Sequence, residues 1–214
     1  MVLNNARTRP LLWSLTAGLL LICPGLCWAA EPAVAPAAGG FQAKKLERTY
    51  DQRLSAPAAK VFALLSPLAE KEWALGWDPE FLHCSEDCRG AGTLFRTTSA
   101  SGATTLWYLR ELDNGPRRLE YLIVRPEICW TILRIQVEEV AGGSSVAHIA
   151  YTWLALSPNG NEYVDLHAGP HFDEYMQLWE RSLNYYLGNG KALPESRQLV
   201  GAKPSPPQGD HPRP

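Results

Sequence analysis

The sequence predicts one α+β domain over residues 42–191, in which a curved antiparallel sheet wraps around a long C-terminal helix. The first observation behind this prediction is the order of elements: a strand, two short helices, a series of strands and a closing helix. The second is a one-sided alternation of apolar residues along the strands. The third is an aromatic stripe along the closing helix. Together these observations favour a sheet with one face covered by that helix.

The domain begins with a strand candidate over residues 46–54, followed by two short helices. Ser55 and the following Ala-Pro pair form a helix-start signal, with Ser55 as the candidate cap. A second short helix is predicted from Pro67 to Trp73 and ends before the turn residue Gly76.

Six further strand candidates follow, separated by turns that contain Gly, Asn and Pro. They cover residues 81–84, 93–98, 104–112, 118–124, 130–140 and 145–156. Within one of them, Leu133, Ile135 and Val137 lie on one face, and the residues between them lie on the other. This alternation is typical of an antiparallel sheet with one buried side.

The covering element is a helix that begins at Gly169-Pro170 and ends at Gly188. Its large apolar residues recur at spacings of four and three. They are Phe172, Met176, Trp179, Leu183 and Tyr186. This spacing predicts a single buried face that packs on the sheet.

Charge and motifs exclude several classes of function. Lys and Arg number 20 and Asp and Glu number 22, a net charge of -2, so no basic excess supports nucleic-acid binding. The sequence has no nucleophile elbow, phosphate loop, dinucleotide fingerprint or HExxH motif. We therefore predict no catalytic residue, no metal site and no cofactor, and consider a binding protein more plausible than an enzyme.

Both ends of the chain have a composition unlike that of the domain. Residues 1–29 have a basic start, an apolar run over residues 11–22 and a break at Pro24, the pattern of a secretory signal peptide. The run is short for a membrane helix, which needs about 20 apolar residues, although an uncleaved anchor is the alternative. We expect a periplasmic or secreted protein without a stable membrane span. Residues 30–41 predict a flexible linker, and residues 192–214 predict a Pro-rich disordered tail.

The predicted export bears on the oxidation state of the cysteines in the mature chain. Cys84, Cys88 and Cys129 would lie in an oxidising compartment, which favours a disulfide between Cys84 and Cys88 and a reduced Cys129. Two alternatives remain: free thiols, or a zinc site that adds His83 and Asp87. Structural zinc usually draws its ligands from two separated pairs, which argues against the zinc site.

Two pairs of titratable residues are interpreted as solvated. His167 and His171 have the spacing of two metal ligands on one helical face, but Gly169-Pro170 interrupts that helix. Glu70 and Glu72 would be candidate general acids if they were buried, but an exposed helix face is the simpler interpretation.

Several short motifs occur in a fixed order along residues 46–190. They are APAAKVF at 56–62, EKEW at 70–73 with GW at 76–77, GAGTLF at 90–95, TLW at 105–107, and the closing aromatic helix. In this order and spacing the chain resembles the START/Bet v 1-like superfamily (SRPBCC), the helix-grip proteins that include bacterial polyketide cyclase/dehydrase-like proteins. The resemblance implies a cavity between the sheet and the terminal helix that holds a hydrophobic small molecule. Members bind lipids, sterols or polyketides, and a minority catalyse cyclisation or dehydration.

The chain is rich in aromatic residues that suit the wall of such a cavity. The candidate ligand-binding residues are Trp73, Trp77, Phe95, Trp107, Tyr121, Tyr151, Trp153, Phe172, Met176 and Trp179. Apolar walls with few polar groups suit a hydrophobic ligand, although each residue singly would also suit a packed core.

The leading hypothesis is therefore an exported protein that binds a lipid, sterol or polyketide-like molecule. One alternative is a cyclase or dehydratase-type enzyme that uses Tyr121 or Tyr151 to polarise a carbonyl. Another is an envelope interaction protein that recruits a partner through its Pro-rich tail. An acid–base pair inside the cavity would favour the enzyme, and a filled interior would favour the interaction protein.

Overall fold

The computed structural model describes residues 40–99 and 101–201. The predicted signal peptide, linker residues 30–39 and tail residues 202–214 lie outside these residues. Across the described ranges, no helix combines the length and the apolar character that crossing a bilayer requires.

The described residues form a seven-stranded antiparallel sheet with the order β1-β7-β6-β5-β4-β3-β2. The strands are β1 (Lys45–Leu54), β2 (Glu80–His83), β3 (Leu94–Thr98), β4 (Thr104–Asp113), β5 (Arg118–Arg125), β6 (Cys129–Val140) and β7 (Ser144–Ala155). The helices are α1 (Ala58–Ala63), α2 (Glu70–Trp73), α3 (Pro158–Ala168), α4 (Pro170–Asn189) and α5 (Arg197–Gly201). The α+β helix-grip architecture is confirmed.

Topology explains how the sheet surrounds the last long helix. Strand β1 pairs with β7, so the first and last strands are neighbours, while β2 lies at the opposite edge. The connection that carries α1 and α2 therefore crosses from one edge of the sheet to the other. Helix α4 contacts β1, α2 and α3, and its residues Met176 and Leu183 are fully buried.

Two side-chain contacts fix α4 against its neighbours. Trp179 stacks on Trp73 of α2, with ring centroids 6.2 Å apart. The fully buried Gln52 of β1 donates a hydrogen bond from Nε2 to the carbonyl oxygen of Met176 at 3.3 Å. These two contacts join α4 to α2 and to β1, and they thereby fix the position of the helix against the sheet.

Helix α3 was not predicted from the sequence. Ser157 caps it, because its hydroxyl accepts a hydrogen bond from the backbone N–H of Gly160 at 3.1 Å, and Pro158 occupies the first helical position. The helix approaches the sheet closely at Gly160, where a Cβ atom would lie 2.0 Å from the carbonyl oxygen of Ile128. Only glycine therefore permits this contact.

Three predicted helix boundaries are wrong. Helix α2 begins at Glu70 instead of Pro67, because residues 67–69 form a turn. Helix α4 passes through Gly188 and ends at Asn189, because Gly190 adopts the left-handed conformation (φ 62°) that closes the helix. Ser55 does not cap α1, which follows Pro57 without a side-chain cap.

The predicted tail is structured at its start. Residues 194–196 form a 3₁₀ turn that leads into α5. Ser196 is fully buried, and its hydroxyl accepts a hydrogen bond from the backbone N–H of Leu75 at 3.1 Å. Residues 192–201 thus belong to the folded domain, since this polar contact and the packing of Leu199 on the core anchor them.

Candidate functional site

A cavity of about 460 Å³ lies between the inner face of the sheet and helices α3, α4 and α5. A smaller chamber of about 40 Å³ adjoins it. The two spaces share part of their walls, to which Trp77, Trp107, Tyr151, Tyr175 and Leu199 contribute. We call them the main chamber and the small chamber.

The predicted ligand-binding residues divide between the two chambers. Those in the wall of the main chamber are Trp77, Trp107, Tyr151, Trp153 and Phe172. Those that line only the small chamber are Trp73, Phe95, Tyr121 and Trp179. Met176 lines neither chamber, because its position on α4 places it entirely in the core.

Contacts between rings hold the aromatic wall in place. Trp107 stacks on Phe95 with centroids 5.8 Å apart, and Trp77 meets Trp107 edge to face at 5.2 Å. Tyr151 and Trp153 stack at 5.0 Å on the opposite part of the sheet. Such pairs stabilise the ring positions beyond simple burial, so the apolar wall is largely formed before any ligand arrives.

Part of the wall of the main chamber is polar, because three strands place polar side chains on the inner face of the sheet. Thr105, Arg125 and Thr131 occupy inward positions on β4, β5 and β6. Arg125 donates a hydrogen bond from Nη2 to the Thr105 hydroxyl at 3.3 Å, and its guanidinium carbon lies 4.7 Å from the ring centroid of Tyr163. A ligand in this chamber would therefore meet both a cation and aromatic rings in the surrounding wall.

Sequence reasoning missed Arg125, although the signal was present. Leu119, Tyr121 and Ile123 of strand β5 are two residues apart and are buried on the inner face of the sheet. Extending the predicted strand 118–124 by one residue continues this alternation and places Arg125 on the same face.

The histidines of the α3–α4 junction both line the main chamber, but in different environments. His167 is half-buried and stacks on Tyr163 at 3.6 Å, and its Nδ1 lies 2.8 Å from the Tyr163 carbonyl oxygen. Burial lowers the pKa of His167 to about 4, with the charges of Arg125 and His171 acting in the same direction. The solvated environment predicted for His167 is therefore wrong, because the packing of α3 on the chamber covers it.

His171 is exposed, and its Nδ1 lies 3.4 Å from Glu174 Oε2. The described ranges contain no cluster of three or more metal-ligating side chains.

Glu70 differs most from its predicted environment. It is half-buried and lines the small chamber, where its carboxylate makes no hydrogen bond to any described residue. Burial raises the pKa of Glu70 to about 8. The signal in the sequence was its spacing of three residues from Trp73, which puts both side chains on one face of α2. Glu72, on the other face, is exposed as predicted and accepts a hydrogen bond from the Tyr186 hydroxyl.

The two tyrosines considered for carbonyl polarisation differ in the state of their hydroxyls. The Tyr121 hydroxyl donates a hydrogen bond to the carbonyl oxygen of Leu65 at 3.2 Å. Its hydrogen is therefore engaged in the core and is not free to polarise a carbonyl of a ligand. The Tyr151 hydroxyl has no hydrogen-bond partner within the described part of the chain, and Tyr151 lines both chambers. Burial raises the pKa of Tyr151 well above its usual value, which keeps the phenol protonated.

The cysteines lie in two separate regions. Cys84 and Cys88 form a disulfide in the connection between β2 and β3, and neither lines a chamber. Cys129 is a free, buried cysteine in the wall of the main chamber, and burial raises the pKa of its thiol.

Solved structures of other proteins share this architecture. Norcoclaurine synthase from Thalictrum flavum, in complex with dopamine and hydroxybenzaldehyde, has a TM-score of 0.52 and 14% identity, over 71% of this chain and 91% of that chain. A point mutant of the same enzyme with a transition-state analogue has a TM-score of 0.54 and 13% identity, over 70% and 100% of the two chains. The protein XoxI from Bacillus cereus has a TM-score of 0.50 and 16% identity, over 67% and 96%.

No protein-family profile matches the sequence, and a search of curated proteins finds no match either. At these identities the structural similarities show the fold alone. That fold is the helix-grip fold that the sequence motifs indicated, a curved antiparallel sheet packed around a long C-terminal helix.

Proposed function

We propose that this helix-grip protein is an exported binding protein that holds a hydrophobic small molecule in the main chamber. The observation that carries the proposal is the cavity of about 460 Å³ between the sheet and the terminal helices. Pockets for small molecules typically measure about 300–1,000 Å³ and combine apolar walls with a few polar groups. The stacked rings of Trp107, Tyr151 and Trp153 and the hydroxyls of Thr105 and Thr131 match that description.

Binding is tested with Nile red, an uncharged probe whose fluorescence rises in apolar surroundings. We expect saturable binding to the folded domain. Leu166, a half-buried residue in the chamber wall, gives the test variant Leu166→Trp, in which the larger side chain fills the cavity and weakens binding at least fivefold.

The matched control is Leu82→Trp, because Leu82 is 47% exposed and lines neither chamber. We expect this variant to bind like the unaltered protein. A domain that is folded by circular dichroism but binds no Nile red would overturn the binding proposal.

Export is supported by the composition of residues 1–29 and by the disulfide between Cys84 and Cys88. N-terminal sequencing of the protein from the cell envelope or medium should start at Ala30 or Glu31. A chain that starts at Met1 or Val2 would contradict cleavage.

The second candidate is an enzyme that acts on a hydrophobic carbonyl compound, and Glu70 is the observation that favours it. A carboxyl group with a pKa of about 8 inside a chamber suits a general acid or base near neutral pH. The Tyr151 hydroxyl, which lines the same chamber, would polarise the carbonyl. The complex of norcoclaurine synthase with dopamine and hydroxybenzaldehyde indicates that this fold accommodates aromatic compounds.

The enzymatic candidate is tested by deuterium exchange at the carbon next to the carbonyl of phenylacetone, followed by NMR. Enzymatic proton abstraction would accelerate exchange in the unaltered protein and in Glu72→Gln but not in Glu70→Gln. Equal, uncatalysed rates in all three proteins would contradict a role for Glu70 in proton abstraction from such a ketone.

A further inference from the structure

Arg125 carries a positive charge in the wall of the main chamber, and no carboxylate of residues 40–99 or 101–201 forms an ion pair with it. By contrast, Arg48, Arg96 and Arg134 each pair with a carboxylate at 2.7–2.9 Å. A guanidinium keeps its charge at any physiological pH. A charge of this kind is unfavourable where part of the group is buried, as Nε is here, unless a partner compensates it.

The hydrogen bonds of Arg125 are also incomplete. Within the described residues, the guanidinium donates one hydrogen bond, from Nη2 to the Thr105 hydroxyl at 3.3 Å. The buried Nε has no partner among the described residues, and Nη1 makes no hydrogen bond there either. The guanidinium is held over the ring of Tyr163. A cation–π contact of this kind orients the charge but does not neutralise it.

Among residues 40–99 and 101–201, the other groups that line the chamber do not supply a counter-charge. His167 is neutral, Thr131 is uncharged, and Cys129 keeps its proton because burial raises the pKa of the thiol. Glu174 is the acidic residue of the wall, but its side chain is 76% exposed and lies beside His171. An anionic group on a ligand would therefore pair with Arg125 without competition from a carboxylate of the described wall.

We propose that Arg125 binds the carboxylate of a hydrophobic carboxylic acid whose apolar body lies along the aromatic wall of the main chamber. This inference rests on the proposed binding function and names the chemical class of its ligand. A carboxylate is planar and accepts two parallel hydrogen bonds from one guanidinium. The Thr105 hydroxyl accepts a bond from Arg125 and keeps its own hydrogen to donate to the same carboxylate.

The aromatic wall suits a flat or extended apolar body. Trp77, Trp107 and Trp153 all line the chamber that contains Arg125. A ligand with a charge at one end and an apolar remainder would satisfy both parts of the wall. A fully apolar ligand would leave the guanidinium without a partner.

The experiment compares naphthoate with naphthalenemethanol, two molecules of similar shape that differ in charge. Isothermal titration calorimetry gives both dissociation constants at pH 7.5. We expect the unaltered protein to bind naphthoate at least tenfold more tightly than the alcohol. Arg125→Met should remove this preference. Its affinity for the alcohol should stay within about twofold of that of the unaltered protein, because methionine retains much of the apolar stem of arginine.

Two further variants make the comparison specific. Arg118→Met removes an exposed arginine from the outer face of the same strand, and we expect it to keep the full preference for naphthoate. Arg125→Lys keeps the charge without the guanidinium fork and should retain part of the preference. This variant also tests the inference if Arg125→Met does not fold by circular dichroism.

The outcomes separate this inference from the proposed function. Equal affinities for acid and alcohol in the unaltered protein, or a preference that survives in folded Arg125→Met, would overturn the role of Arg125. Failure of both naphthalenes and of Nile red to bind would instead overturn the binding function itself. Saturable binding of the alcohol together with a lost acid preference in Arg125→Met supports both.

Discussion

Replacement of Glu70 by Gln should stabilise the domain at neutral pH. The carboxyl of Glu70 has a pKa of about 8 in the folded chain, against an ordinary value of 4.5. Between these values the unfolded chain releases the proton while the folded chain retains it. Stability is therefore highest below pH 4.5 with respect to this group, and falls as pH rises towards 8. The amide introduced by Glu70→Gln would keep the shape of the protonated acid and lose this dependence.

The size of the effect follows from the same two values. Each pH unit between them costs about 1.4 kcal/mol, so the upper limit at pH 7 is about 3 kcal/mol. The carboxyl is only half-buried, and a chamber of about 40 Å³ has room for water. Solvation of the carboxylate by that water reduces the expected gain to about 2 kcal/mol.

Urea unfolding of the unaltered protein, Glu70→Gln and Glu72→Gln at pH 5, 6, 7 and 8 measures this effect. Glu72 lies on the same helix but is exposed, so its replacement controls for the loss of one acidic group. We expect the free energy of unfolding of Glu70→Gln to exceed that of the unaltered protein by an amount that grows as pH rises. Parallel pH profiles for all three proteins would refute the assignment of Glu70 as a buried acid.

Four other variants test the packing, the charges and the disulfide around the site. Gly160→Ala should lower the melting temperature, because the added Cβ would meet a backbone oxygen at 2.0 Å, whereas Gly188→Ala, which meets nothing within 4 Å in α4, should raise stability by about 0.5–1 kcal/mol. The pKa of His167 is about 4 in the folded chain, so between pH 6.5 and 5 the unfolded chain binds the proton and the free energy of unfolding falls. In urea unfolding, His167→Gln should make this fall smaller by about 1 kcal/mol. A double Ser variant of Cys84 and Cys88 should lose about 2 kcal/mol or less, as expected for a short disulfide loop, and keep its Nile red affinity; a large fall in that affinity would contradict the separation of this loop from the chambers.

The sequence predicts the sheet well because its signals are local and repeated. The alternation of Leu133, Ile135 and Val137 fixes both the strand and its buried face, and these residues are buried in the structure. The aromatic stripe on α4 predicts which side of the helix packs inward for the same reason. The stripe does not predict which of its residues line the cavity. Met176 is buried in the core, whereas Phe172, four residues earlier, lines the main chamber.

The parts that the sequence did not predict depend on contacts between distant residues. Helix α3 has a weak apolar pattern, and its placement depends on the close approach of Gly160 to the carbonyl of Ile128. Residues 192–201 have the composition of a tail, but Ser196 binds the backbone at Leu75 and fixes them. The environment of Glu70 depends in the same way on tyrosines and tryptophans from α2, β5, β7 and α4, which only the fold brings together.

The separation of Arg125 from Glu70 into two chambers leads to a last prediction. Arg125 lines only the main chamber, whereas Glu70 lines only the small chamber. If Arg125 alone recognises the carboxylate, Glu70→Gln should bind naphthoate with an affinity within about twofold of the unaltered protein at pH 6, where Glu70 is protonated. At pH 9 Glu70 carries a negative charge, so the unaltered protein should bind naphthoate more weakly than Glu70→Gln does. Titration calorimetry at the two pH values measures both affinities, and Glu72→Gln serves as the control. A large loss of affinity in Glu70→Gln at pH 6 would show that the acid contacts the ligand directly, and would place the carboxylate in the small chamber instead of beside Arg125.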